Sequence, residues 1–306
     1  MNKKISNVLM AAAACILVFS AGKIAVTLIQ QWHEKEVFDR LEEQVLNEQE
    51  AALEQKTSFT NGETGKQAAG AQQEVVGDTG DTKNTGNNDS TGNIDNTDKI
   101  QERVIMETDP ETGMLKPYKK LYEQNKDFFG WIKIPDTKIN YPVMYTPDDM
   151  EYYLKRSFDG SDAKGGTPFL DTECSENGHI CIVYGHHMKN QTMFGSLPKY
   201  EKKEYWAEHP EIYFDTLYEQ ETYEIVAAFY SRIYNPDEEG FRYYAYKDLS
   251  DEQVFHEFKE GIEKEALYDT GISWEYGDTV LLLSTCSYHA EEGRFVVVAV
   301  KKPGND

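Results

Sequence analysis

The sequence has little of what staples small folds or holds metals. Only 4 Cys occur among 306 residues, at Cys15, Cys174, Cys181 and Cys286. They are too few and too irregularly spaced for a disulfide scaffold or a zinc ribbon. Cys15 lies in an apolar segment and reads as inert. Cys174 and Cys181 flank Ser175-Glu176-Asn177-Gly178, a turn-like stretch, so they are either locally bonded or two free thiols. Cys286 is unpaired in both cases, which makes it a candidate for chemistry or a buried structural cysteine. Basic residues are also scarce: 31 Lys and Arg against 54 Asp and Glu leave a net charge of −23. Such a balance argues against gripping nucleic acid through its phosphates. It suits a solvated acidic surface or a patch for a cationic partner. No internal repeat is visible.

Long apolar runs are equally rare. One, Val8 to Ile29, is about 22 residues long, or roughly 33 Å of helix against a hydrocarbon core of about 30 Å. Lys23 interrupts it, but its stem can carry the ammonium to the interface, and Trp32 stands where an interfacial aromatic belongs. Lys3 and Lys4 precede the run and Glu34 and Glu36 follow it, which predicts a cytoplasmic amino terminus and an external remainder. A cleaved signal peptide ending near Ser20-Ala21-Gly22 is the alternative, and it exports the rest equally. The expected organisation is therefore a membrane anchor at 1–30, a juxtamembrane helix at 31–56, a disordered polar linker at 57–100 and a folded domain at 101–306. The helix rests on Val37, Leu41, Val45 and Leu46 at helical spacing, and the linker on runs of Gly, Asn, Thr and Asp without large apolar residues.

The folded domain reads as mainly β. Strands are expected at 130–134, 139–144, 167–171, 180–185, 211–216, 222–232, 279–285 and 294–301, with helices over 115–129 and 150–158. Leu249-Ser250-Asp251 opens a further helical run to about 267, with Ser250 as cap and Val254, Phe255, Phe258 and Ile262 on its buried face. The pattern is that of a closed β-barrel with an amino-terminal helix and an inserted helix before the last two strands.

Those last two strands carry the chemistry. The first ends in Cys286, the second begins with Arg294, and the loop Ser287 to Gly293 joins them. Paired as a hairpin, they bring thiol and guanidinium face to face with Cβ atoms roughly 5 Å apart. The guanidinium can then stabilise the oxyanion formed when sulfur attacks a carbonyl. A thiol also needs a proton partner. His186 ends the apolar strand Ile180 to Gly185, His187 follows it and would point the other way, and His289 lies three residues after the thiol. Position alone leaves all three open. Arg294 read alone is equally a surface charge ending a hairpin, and Tyr184 and Tyr288 read as packing or rim residues.

The segment Leu283-Ser284-Thr285-Cys286 followed by Arg294 resembles the signature strand of the sortases, with Leu282 standing where the pattern usually begins with Thr and Leu. Val183-Tyr184-Gly185-His186-His187-Met188, with Met193-Phe194-Gly195, is similar to the histidine region of class B members, and Gly130-Trp131-Ile132-Lys133-Ile134-Pro135 to an earlier class B segment. The resemblance covers nearly all of residues 115–302. It implies a cysteine transpeptidase with His186, Cys286 and Arg294 as the catalytic residues. It further implies Ser284 and Thr285 at the substrate and the backbone N–H of Ser287 joining Arg294 at the oxyanion. The implied partners are secreted proteins with a carboxy-terminal sorting signal of N-P-x-T-x-like type and an amine of a peptidoglycan precursor, with no cofactor and no metal. A pilin-polymerising sortase, or a non-catalytic surface-binding module on the same barrel, are the alternatives.

Overall fold

The computed structural model describes residues 3–63, 103–174, 178–287 and 290–303, with side chains in the first helix given for most of 16–51. Eight strands close a barrel: β1 (Phe128–Lys133), β2 (Asn140–Met144), β3 (Phe169–Leu170), β4 (Ile180–Gly185), β5 (Glu211–Thr216), β6 (Thr222–Arg232), β7 (Val280–Cys286) and β8 (Gly293–Lys301). Their order around the barrel is β1-β2-β3-β4-β7-β8-β6-β5, and β5 pairs with β1 to close it. The expected mainly β, closed-barrel class is what is found.

β7 and β8 are the strands to explain, because they read as unbroken apolar runs rather than alternating ones. Leu281, Leu283, Phe295, Val297 and Ala299 fill the barrel interior. Val280, Leu282, Val296, Val298 and Val300 point outward, yet they are equally buried, under a second cluster built by α4 (Glu252–Glu265) and Trp274. A strand covered on both faces has no solvent side to mark with polar residues. α4 lays Phe255, Phe258 and Ile262 on this outer face.

Local chemistry corrected several expected boundaries. Asp251, not Ser250, caps α4, its side chain accepting from the backbone N–H groups of Gln253 and Val254. The expected helix over 115–129 is α2 (Lys116–Gln124), which stops early because Phe128 and Phe129 are drawn into β1. The one over 150–158 is a single 3₁₀ turn at Tyr152–Lys155. A short helix, α3 (Lys203–Glu208), was not expected.

At the amino terminus one helix, α1 (Lys3–Glu63), runs through the expected boundaries at residues 30 and 56 without a break. Val37, Phe38, Leu41 and Val45 bury one face of it in the barrel's own core cluster, and Glu48 pairs with Lys120 of α2. Residues 64–102, most of the expected linker, lie outside the described residues. Among the described residues no helix is long and apolar enough to cross a membrane; the side chains of the apolar run as far as Cys15 are not among them.

Deleting a ring from the outer layer and deleting the cap separate packing from capping. Phe258→Ala is expected to cost about 3–5 kcal/mol, whereas Asp251→Ala is expected to cost about 1 kcal/mol, both read from urea denaturation. Equal losses would contradict a load-carrying outer core.

Candidate active site

β4 and β7 run parallel, in register from Ile180↔Val280 to Gly185↔Thr285. The residues that follow, His186 and Cys286, therefore leave the barrel side by side, on strands that lie about 4.8 Å apart. On the far side of β7, β8 is antiparallel and opposes Arg294 directly to Cys286. Cys286 continues the outward-facing series Val280, Leu282 and Ser284, while Arg294 begins the series Val296, Val298 and Val300. Thiol, imidazole and guanidinium thus come from the ends of three adjacent strands at one end of the barrel.

Burial distinguishes the thiols. Cys286 is exposed. Cys174 and Cys181 are free, so the local disulfide does not form. Burial, with Asp171 adding, pushes the Cys174 thiol up to about 11. Cys181 is raised well above its ordinary value by burial. Both therefore stay protonated and inert at neutral pH. Cys15 lies outside the described side chains.

The two histidines take different partners. His186 is half-buried and its Nε2 is buried without a protein partner. Burial lowers its pKa below the usual 6.5; hydrogen bonding to the Leu154 carbonyl opposes the shift and the nearby Lys155 ammonium adds to it. The imidazole is thus neutral at pH 7, with one nitrogen unsatisfied. His187 Nδ1 lies 3.0 Å from the Cys286 carbonyl, a contact that requires the proton on Nδ1. It holds the main chain of the thiol residue, a role its sequence position gave no sign of. His289 and Tyr288 lie outside the described residues.

The other three expected site residues make defined contacts. Ser284 is fully buried, its hydroxyl 2.7 Å from that of Tyr243. The Thr285 hydroxyl, also buried, donates to the Gly185 carbonyl at 2.7 Å and so staples β7 to β4 one residue before Cys286. The Ser287 N–H donates to the Gly293 carbonyl at 2.8 Å, closing the loop. Arg294 is folded onto that loop as well, donating to the carbonyls of Glu292 and Gly293 at 3.2 and 3.0 Å, with the Glu292 carboxylate at 3.6 Å.

Two features fix the ground around the site. Gly185 is required because a Cβ there would meet the Phe194 ring at 2.7 Å, and the Phe194 N–H donates to the His186 carbonyl at 3.0 Å. Tyr243 was not anticipated. Its hydroxyl is pushed up to about 12 by burial, partly offset by the Ser284 hydrogen bond and the positive charge of Arg294 and reinforced by Cys286. It lies against Ser284, two residues before the thiol, and its signal in the sequence is the aromatic density of Phe241-Arg242-Tyr243-Tyr244-Ala245-Tyr246.

A sequence model of the Sortase domain matches residues 132–302, more than half of the chain. The chain belongs to the sortase family. It is 28% identical over 207 residues to sortase B of Staphylococcus aureus, covering 66% of this chain and 82% of that protein. Sortase B of Listeria monocytogenes is 29% identical over 187 residues, covering 58% and 70%. A solved sortase B from B. anthracis superposes with a TM-score of 0.56 at 32% identity, covering 66% of this chain and 90% of that one. This sortase is therefore of class B, and like its homologues it is a cysteine transpeptidase. Its site leaves one measurable signature. The ring ¹⁵N resonances of His186, assigned by their loss in His186→Gln, are expected to titrate with a midpoint below 6.5, so the neutral form dominates at pH 7. A midpoint at or above 6.5 would contradict the burial described.

Proposed function

We propose that this sortase cleaves a carboxy-terminal sorting signal of secreted proteins after a threonine and joins the new terminus to a cell-wall peptide amine. The observation that carries the reading is the register of β4, β7 and β8, with Gly185↔Thr285 on one side of Cys286 and Arg294 on the other. Cys286 Sγ attacks the threonine carbonyl, and its proton passes to Nε2 of neutral His186, the unpartnered nitrogen. The imidazolium returns that proton to the leaving amine as the C–N bond breaks, leaving a thioester on Cys286. Arg294, released from the Glu292 and Gly293 carbonyls, donates to the oxyanion. An incoming amine then loses a proton to His186, attacks the thioester carbonyl and expels the thiolate, which is reprotonated. The first step conserves the acyl bond energy that the second uses.

The same reading extends to the cell surface. Ile16, Leu17, Val18, Phe19, Ile24, Leu28 and Ile29 of α1 are all exposed among the described residues. Such a patch on a helix suits insertion into a bilayer. The barrel then works outside a membrane that holds residues 1–30, and the polar stretch from residue 64 to about 100 serves as a linker.

Incubating the full chain with threonine-containing sorting peptides and amine acceptors is expected to give a thioacyl adduct on Cys286 by mass spectrometry and an amine-joined product. Cys286→Ala abolishes both, and Arg294→Lys lowers kcat about 10²–10³-fold with little change in KM. Cleavage that persists in Cys286→Ala, or an adduct on Cys174, would sink the assignment.

A further inference from the structure

We propose that Glu34 and Phe38 of α1 are positioning residues for His186, so that the site is complete only with α1 docked on the barrel. The inference rests on His186 being the proton-transfer group. Neither residue lies within the stretch matched by the Sortase domain, which begins at 132.

Glu34 is 8% exposed although it is a carboxylate on a helix surface. A carboxylate is costly to bury unless a donor meets it, and here the Lys164 N–H donates to Oε1 at 2.6 Å. Its other oxygen lies against Gly165, where a Cβ would come within 3.3 Å. The turn that Glu34 grips is pressed onto the 3₁₀ turn at Tyr152–Lys155. The Ala163 N–H donates to the Lys155 carbonyl and the Thr167 N–H to the Tyr153 carbonyl, both at 3.0 Å. Between them Gly166 takes φ +61, and a Cβ on it would overlap the Leu154 carbonyl at 2.4 Å. That carbonyl is the group to which the His186 ring is hydrogen-bonded.

Phe38, one helical turn beyond Glu34, is linked to His186 by a second route. Its ring packs edge-on to Tyr141 with centroids 5.4 Å apart. The Tyr141 hydroxyl accepts from the Met193 N–H at 3.1 Å. Met193, at φ 52, pairs with His187, and the neighbouring Phe194 holds the His186 carbonyl. The two routes meet where the Met193 side chain approaches Gly165. α1 therefore braces the carbonyl that orients the imidazole and the loop that carries it.

The test uses the full chain. Glu34→Ala and Phe38→Ala are expected to slow thioester formation at Cys286 about tenfold, the scale of a sub-ångström misplacement. They are also expected to move the ¹⁵N titration midpoint of His186 up towards 6.5, as the ring loses the burial that depresses it. Glu34→Gln, which keeps an acceptor for the Lys164 N–H, and the exposed control Lys35→Ala should behave as the parent chain; Phe38→Leu replaces Phe38→Ala if the latter does not fold. Unchanged rates in the two alanine variants, or slower reaction with an unmoved His186 midpoint, would overturn the inference. His186→Ala separates the two levels. If it forms thioester at the parental rate, the catalytic reading fails. If it is inactive while the α1 variants match the parent chain, only the positioning role fails.

Discussion

β4 and β7 are parallel neighbours although they are far apart in sequence, and everything at the site depends on that pairing. An antiparallel pair would send one of the two strand ends to the opposite rim of the barrel. The parallel one brings both carboxy-terminal ends to the same rim, with Gly185 opposite Thr285 and the hydroxyl of Thr285 bonded across to the Gly185 carbonyl. The pairing costs a long crossover connection, and α4 lies in that crossover, covering the outer faces of β7 and β8. The same helix that satisfies the connection therefore makes β7 a strand buried on both sides, and a strand so held cannot shift its register without exposing or overpacking a face. The position of Cys286 at the end of it is fixed accordingly.

The electrostatics of the rim are arranged by differential burial rather than by a strong ion pair. His186 is kept neutral by partial burial, Cys286 is open to solvent, and Arg294 rests on loop carbonyls. On the reading proposed above, the three act together when a substrate carbonyl arrives between them. Placing two histidines in succession divides the labour, since His187 ties down the Cys286 carbonyl while His186 keeps Nε2 unsatisfied.

Much of the barrel was legible because its strands are short, rich in β-branched residues and separated by turn residues: β4, β5 and β6 have the bounds their patterns predict. Pairing across the last loop was legible too, since a hairpin of two apolar runs admits few registers. What stayed hidden depended on long-range competition. Nothing local in Lys116–Phe129 says that Phe128 and Phe129 serve a strand, and Ser250 and Asp251 are both ordinary capping residues, of which Asp251 meets the Gln253 and Val254 N–H groups. Sequence position likewise does not tell that Tyr243 reaches in from the crossover to meet the Ser284 hydroxyl, or that the Ser287 N–H meets the Gly293 carbonyl.

The continuity of α1 changes the meaning of the polar stretch that follows it. The barrel is gripped by Glu34, Val37, Phe38, Leu41 and Val45, and the grip begins about five residues, or about 7.5 Å of helix, beyond the end of the apolar run at Ile29. The distance between that run and the docked face is thus set by a helical rod little more than a turn long, whatever the number of Gly- and Asn-rich residues between Glu63 and Arg103. Lengthening or shortening that stretch leaves the spacing between the apolar run and the barrel unchanged.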